Sequence, residues 1–401
     1  MARLFDRGNI IQVPLDPNRI TEYRVRFQVQ EEKRRLDKAF RGSKGWELEK
    51  YLGYGTFGIT VLLKDSDPLL LREQRRNIRA RRKVVLKWAL FPHVTPLLFV
   101  HEIAALKLLR GKAHHAQIIA ASTDVTKHRL VLGLRTLVKR AMAPFFNPPS
   151  NIFSILSKER GPAILLEYIE FGTLNRFLDK MREFHVTLPN RVLWSFYFCM
   201  VRACIGLNFP HDVPKAGAGR PVLETITRVE PIGFAHNDIA MRNIMIDWFD
   251  YETPEHALFP VLKFIDYGAS TNVPGPQAAR SNFLSISAVM CWLINPDIQP
   301  GFGPTVYNGI ETTATQILPQ EGNDRFPLLD PALRQLVVEG LAVREDLRPS
   351  IQDMFDRTKA GMEKDARSYY PEPRNILNPG PEDDVVIRRM FEQLLYDADS
   401  N

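Results

Sequence analysis

The densest chemistry in the sequence lies in HNDIAMRN, residues 236–243, where Asp238 and Asn243 stand five residues apart just before the β-type run IMID. A carboxylate there can orient and deprotonate an attacking hydroxyl, and an amide oxygen close by can ligate magnesium. Asp266 follows twenty-three residues after Asn243, in FIDYG, where a strand runs into a tight turn. Mg²⁺ prefers hard oxygen donors, so this carboxylate is a candidate ligand for a metal that bridges phosphates. Upstream, GYGTFG supplies Gly53, Gly55 and Gly58. Glycines at this spacing let a backbone bend over phosphate and present N–H groups without Cβ clashes. A strand rather than a helix follows them, which argues against a dinucleotide-binding turn. Singly, each feature is equally at home in an ordinary loop or turn. Their order along the chain is what gives them meaning.

The elements that must carry these residues are readable from period and punctuation. Residues 16–41 form a charged amphipathic pattern stopped by Gly42. From Trp46 the pattern shortens to β-type runs, WELEKYLGYGTFGITVLLKD reading as a hairpin around the glycine-rich turn. KVVLKWAL is a further strand carrying Lys87, and LLFVHEIAALKLLRG is a helix carrying Glu102, with a glycine stop. Residues 135–160 (RAMAPFFNPPSN within them) read as an insertion, and a strand returns at AILLEYIEF. Helices are expected at GTLNRFLDKMREF, 189–207, 281–294, 331–342, 349–361 and 384–397, with VLKFID a strand between them. Strands first and helices later predict an α+β chain, a small β-rich lobe followed by a larger helical one.

Composition narrows the setting. The 401 residues are 45% hydrophobic and 25% charged, enough to bury a large core. Six of the seven net positive charges sit in residues 72–83, where Arg72, Arg75, Arg76, Arg79, Arg81, Arg82 and Lys83 face one acid, Glu73. A solvated basic loop is the expected reading, with a nuclear localisation or nucleic-acid contact the sharper alternative. Cys199, Cys204 and Cys291 lie among bulky apolar residues, an odd and sparse count that suits buried thiols in a reducing compartment. Neither they nor His114-His115 show metal-ligand spacing, and no site is assigned to them. No apolar run reaches the roughly 20 residues of a membrane span. A cytoplasmic or nuclear protein without membrane contact is expected.

Taken in order, these segments resemble the eukaryotic protein kinase superfamily, over roughly residues 46–362. GYGTFG resembles its glycine-rich loop, VVLK its strand-three lysine motif and HNDIAMRN its catalytic loop. Asp266–Gly268, DYG, is similar to the family's DFG with tyrosine as the aromatic. The resemblance implies a bilobal protein-kinase-like domain, with an N-lobe of about 46–168 and a C-lobe of about 169–362. Residues 1–45 would be a helical extension and 363–401 a tail with a terminal helix. ATP and Mg²⁺ are implied as cofactors, and the γ-phosphate would pass to a hydroxyl acceptor. Lys87 and Glu102 would form the phosphate-steadying ion pair, Asp238 the catalytic base, and Asn243 and Asp266 the Mg²⁺ ligands. Leu166 would be the gatekeeper, with the backbone of Glu167 and Ile169 binding the adenine edge.

The departures bear on the acceptor. Asn237 stands where regulated kinases carry arginine, so a phosphorylation switch of that kind is not expected. Only about a dozen residues separate Gly268 from the expected helix, and no APE segment precedes it, which leaves Arg348 without its usual partner. Asn282 replaces an aspartate, keeping an acceptor but losing its charge. Ala240 replaces the lysine of Ser/Thr kinases, and Arg242 resembles the tyrosine-kinase pattern. The acceptor is expected to be Ser/Thr of a protein, with Tyr, a small-molecule hydroxyl, or a nucleotide-binding scaffold without turnover as alternatives.

Overall fold

A computed structural model describes residues 4–6, 9–11, 17–43, 45–55, 58–66, 83–90, 96–122, 152–156, 162–210, 220–273, 276–298, 303–320, 322–370 and 379–396. The chain forms two compact units, one of residues 1–103 with 118–168 and the other of residues 104–117 with 169–401. The fold is mixed α+β.

In the first unit a small antiparallel pair, β1 (Leu4–Asp6) and β2 (Asn9–Ile11), precedes the long helix α1 (Pro17–Phe40). Five antiparallel strands follow: β3 (Trp46–Tyr54), β4 (Gly58–Asp65), β5 (Lys83–Ala89) and, after helix α2 (Pro96–Leu108), β6 (Ile118–Ser122) and, beyond the short α3 (Ile152–Ile155), β7 (Ala163–Glu167). Their spatial order is β3-β4-β5-β7-β6. Side chains alternate across a strand. Val61 and Leu63 of β4, Val84, Leu86 and Trp88 of β5, and Leu165 of β7 therefore share one apolar face. Val29, Leu36 and Phe40 of α1, seven and four residues apart on one helix stripe, complete that core. Buried Glu32 on the same stripe accepts from the indole Nε1 of Trp88 at 3.0 Å. Helix α1 is thus part of the sheet's core rather than an appendage. The basic residues 72–82 and most of the 135–160 stretch lie outside the described residues, Lys83 opening β5.

The second unit is mostly helical. Helix α4 (Leu174–Glu183) starts at Thr173, whose hydroxyl accepts from the backbone N–H of Arg176. Helix α5 (Asn190–Asn208) is buried all round except at Arg191, as a helix apolar on every side must be. Short strands then pair in two ladders. β8 (Phe234–Ala235) meets β11 (Thr271–Asn272), while β9 (Ile244–Ile246) meets β10 (Leu262–Phe264). Helix α6 (Gln277–Ile294) follows and packs on α5. A hairpin, β12 (Thr305–Tyr307) and β13 (Ile310–Thr312), lies where only helix and loop are expected. Its turn is Asn308–Gly309, both at positive φ, the two-residue arrangement whose twist matches the strands. Helices α7 (Pro331–Gly340), capped by Asp330, and α8 (Ile351–Met362), capped by Ser350, complete the bundle.

The final helix, α9 (Asp384–Phe391), continues as a π-helical turn to Tyr396. Phe391 packs among Phe177, Phe196 and Phe249. Just before it, the buried Glu382 carboxylate accepts from the backbone N–H groups of Asn190 (2.7 Å) and Arg191 (3.0 Å) and from the Asn190 side chain (2.9 Å). Pro189 gives α5 no side-chain cap, so Glu382 serves as its cap from 192 residues away. Among the described residues no helix is long and apolar enough to cross a membrane.

Candidate functional site

The expected residues gather in two sets, one in each unit. In the first unit, β5 sends Trp88 into the core and therefore turns its neighbour Lys87 to the opposite face. There Lys87 Nζ donates to both carboxylate oxygens of Glu102, each at 2.7 Å, with Glu102 itself buried. A buried carboxylate so engaged fixes the lysine's reach. The glycine-rich turn is closed by Gly55 N–H donating to Gly58 O at 2.9 Å; Thr56 and Phe57 are outside the described residues. The three glycines differ. A Cβ on Gly58 would meet the carbonyl oxygen of Trp88 at 3.0 Å, whereas one on Gly53 or Gly55 would meet nothing within 4 Å. Gly58 is needed for packing against β5; the other two leave the backbone open to an approaching group. Leu166 and Glu167 end β7, paired with Val85 and Val84, and Ile169, in the second unit, is buried.

In the second unit Asp238 lies between β8 and β9, and Asp266 between β10 and β11, so the two ladders carry both acids. The β9–β10 register pairs Ile244 with Phe264, and Ile265 N–H donates to Asn243 O at 3.0 Å. Asn243 Nδ2 donates to the Asp238 carboxylate and carbonyl, each at 2.8 Å, which leaves Oδ1 as the amide atom able to ligate a cation. Arg242 pairs with the other Asp238 oxygen. His236 joins the two loops. Its Nδ1 accepts from Asp238 N–H at 3.3 Å, and its Nε2–H donates to Ile265 O at 3.1 Å. Burial holds the imidazole's pKa below the ordinary value, which keeps this single tautomer neutral.

Asn237 (φ 62°), next to Asp238, and Asp266 itself (φ 63°) hold left-handed backbone, as do His185 and Asn308 elsewhere in the chain. Asp266 is exposed, while Tyr267 after it is fully buried, its hydroxyl donating to Phe264 O (3.0 Å) and facing His115 Nδ1 (2.7 Å). The turn is anchored from behind and presents its carboxylate outward. Asn237 donates from its side chain to Ala269 O (3.0 Å) and Thr271 Oγ1 (2.7 Å), tying the loop between β8 and β9 to the segment after Asp266. Asn282 accepts from His236 N–H and donates to Phe234 O, both at 3.0 Å. Arg348 donates to Ala342 O.

Helix α6 begins at Gln277 rather than at residue 281, so the connection after Gly268 is shorter than expected, and β11 folds back onto β8 within it. His115, Thr271 and His236 carry the site's support and were not singled out as such from sequence. Only His236 had a signal, its place in HNDIAMRN. The three cysteines are buried free thiols. One of them, Cys199, stands with His114 and His256 in a buried cluster whose ligand atoms lie within 4.8 Å of one another, although His114 and Cys199 show no ligand spacing in the sequence. No protein-family model matches the chain, and no curated protein matches it.

Proposed function

We propose that this protein is an ATP- and Mg²⁺-dependent phosphotransferase with a bilobal protein-kinase-like fold, acting on a hydroxyl acceptor. The observation that carries the reading is the grouping of Asp238, Asn243 and Asp266 by the two short ladders, with Asn237 and Asp266 both held in left-handed backbone. Asn243 Oδ1 and the Asp266 carboxylate are hard oxygen donors, the set that suits Mg²⁺, and such an ion would neutralise charge on the transferring phosphoryl group. In the first unit, Gly53 and Gly55 suit phosphate approach, and Lys87, steadied by Glu102, supplies a fixed cation for the phosphates. The acceptor oxygen bonds to the γ-phosphorus while the bond from the β,γ-bridging oxygen breaks, releasing ADP. Asp238 orients the acceptor hydroxyl and takes its proton, which then passes to water.

The short connection of residues 269–276, part of it paired with β8, favours a small-molecule hydroxyl over an extended peptide. A transfer screen with labelled ATP over Ser/Thr peptides, Tyr peptides and small hydroxyl compounds tests both points. Product is expected with a small hydroxyl compound, and Asp238→Asn should lower its rate by about a hundredfold or more. Transfer that survives in Asp238→Asn would overturn the assignment. Thermal stabilisation by Mg·ATP with no product on any acceptor would make the chain a nucleotide-binding scaffold instead.

A further inference from the structure

The core of the second unit contains a group of titratable side chains that phosphoryl transfer does not use. His114 comes from the turn after α2, Cys199 from the middle of α5, Glu224 from the segment before β8, and His256 from a 3₁₀ turn, Pro254–His256. Their exposures are 0%, 1%, 0% and 2%. His114 Nε2 lies 3.1 Å from His256 Nε2, and Cys199 Sγ lies 3.9 Å from His256 Nδ1. One ligand atom from each of His114, Cys199 and His256 falls within 4.8 Å of the other two. Three donors from segments up to 142 residues apart are thus gathered in one buried place.

The surroundings orient the donors. His114 Nδ1 donates to Glu224 Oε2 at 2.6 Å, and Glu224 Oε1 accepts from the backbone N–H of His114 at 2.9 Å. A carboxylate on the far nitrogen of an imidazole holds a proton at Nδ1, so Nε2 is the His114 atom turned toward His256 and the one a metal would take. Helix α5 makes room with Gly206, where a Cβ would meet His115 Nε2 at 2.5 Å and Glu224 Cγ at 2.9 Å. Charge also balances. A Cys199 thiolate and the Glu224 carboxylate together offset a divalent cation, and the neighbouring Arg202 and Glu255 pair with each other at 3.1 Å. Two imidazole nitrogens and one thiolate form a borderline-soft set, which favours zinc over magnesium or calcium.

We propose that His114 Nε2, Cys199 Sγ and one ring nitrogen of His256 form a buried site for a zinc-class divalent cation, with Glu224 bracing His114 from behind. Binding breaks the Cys199 S–H bond, the proton leaves to water, and the sulfur lone pair bonds the metal. The ion would tie α5 to the His114 segment and the 254–256 turn. Because His115, the next residue, contacts the Tyr267 hydroxyl, the site also stiffens the support behind Asp266.

The test uses the full chain and stands apart from any transfer assay. Metal-stripped protein is titrated with Co²⁺ and then Zn²⁺, with elemental analysis of the protein as purified. One equivalent of zinc is expected, together with a thiolate-to-cobalt charge-transfer band that zinc abolishes. Cys199→Ser should lose the band and the bound metal, whereas Cys204→Ala, about one and a half turns further along α5, should keep both. A chelator should lower the melting temperature of the wild type and zinc should restore it. If folded wild-type protein gives no charge-transfer band and takes up no zinc, the cluster is a hydrogen-bonded core and the proposal is wrong. That result does not depend on how any variant folds.

Discussion

Asp266 occupies a backbone region that most side chains avoid because Cβ crowds the carbonyl oxygen, and Asp and Asn tolerate it best. That separates its backbone role from the metal-ligand role proposed for it. Asp266→Asn keeps the short polar side chain and should melt like the wild type while losing phosphoryl transfer. Asp266→Ala should lose transfer and also about 1–2 kcal/mol of stability in urea denaturation. Equal stability of the two variants would show that the left-handed turn asks nothing of the residue type. At this scale the sequence was most legible where chemistry and spacing coincide, as in HNDIAMRN and FIDYG. It was least legible for support. The contacts of Thr271 with Asn237 and of His115 with Tyr267 join residues 34 and 152 positions apart, and no local pattern marks such pairs.

Helix α5 shows how an element can be obvious while its ends are not. Its continuous apolar run announces a buried helix, yet a proline precedes it and no local side chain caps it. The cap is Glu382, and its removal leaves buried N–H donors unpaired. Glu382→Ala should therefore cost about 1–3 kcal/mol, read as a lower urea midpoint with an unchanged slope. Glu382→Gln, which retains one acceptor oxygen, should cost less. If both variants matched wild type, water would be reaching the donors. The β12–β13 hairpin is the opposite case: Asn308–Gly309 carried its signal in the sequence, but the flanking strands are only three residues long, too short for periodicity to register.

Across the whole molecule, several carboxyls held below their ordinary range contribute to acid stability, Glu224 and Asp324 among them, and the buried junction at Asp330 is one that a single substitution can isolate. Burial alone would raise the pKa of the Asp330 carboxyl, but hydrogen bonds from Lys364, the Trp194 indole and the Ala332 N–H outweigh it and hold the pKa below the usual carboxylate range. A carboxyl depressed in the folded state contributes stability above its ordinary pKa near 3.8. That contribution is lost as pH falls through the folded value. Thermal melts between pH 7 and pH 3 should show a steep loss only below about pH 4, shallower in Asp330→Asn. An equal slope in the variant would place the acid sensitivity elsewhere. The two-part organisation was legible in the run of strands before helices, but the placement of α1 in the sheet's core was not, since Glu32 looks like one more surface charge until Trp88 lies against it. The cap on α5 has a consequence in time. On a ribosome making the chain from its N-terminus, the helix at the centre of the second unit is synthesised long before residue 382 exists. Until then the N–H groups of Asn190 and Arg191 lack this partner, so a segment made 192 residues later finishes the start of the helix, and a translation product interrupted before residue 382 lacks it.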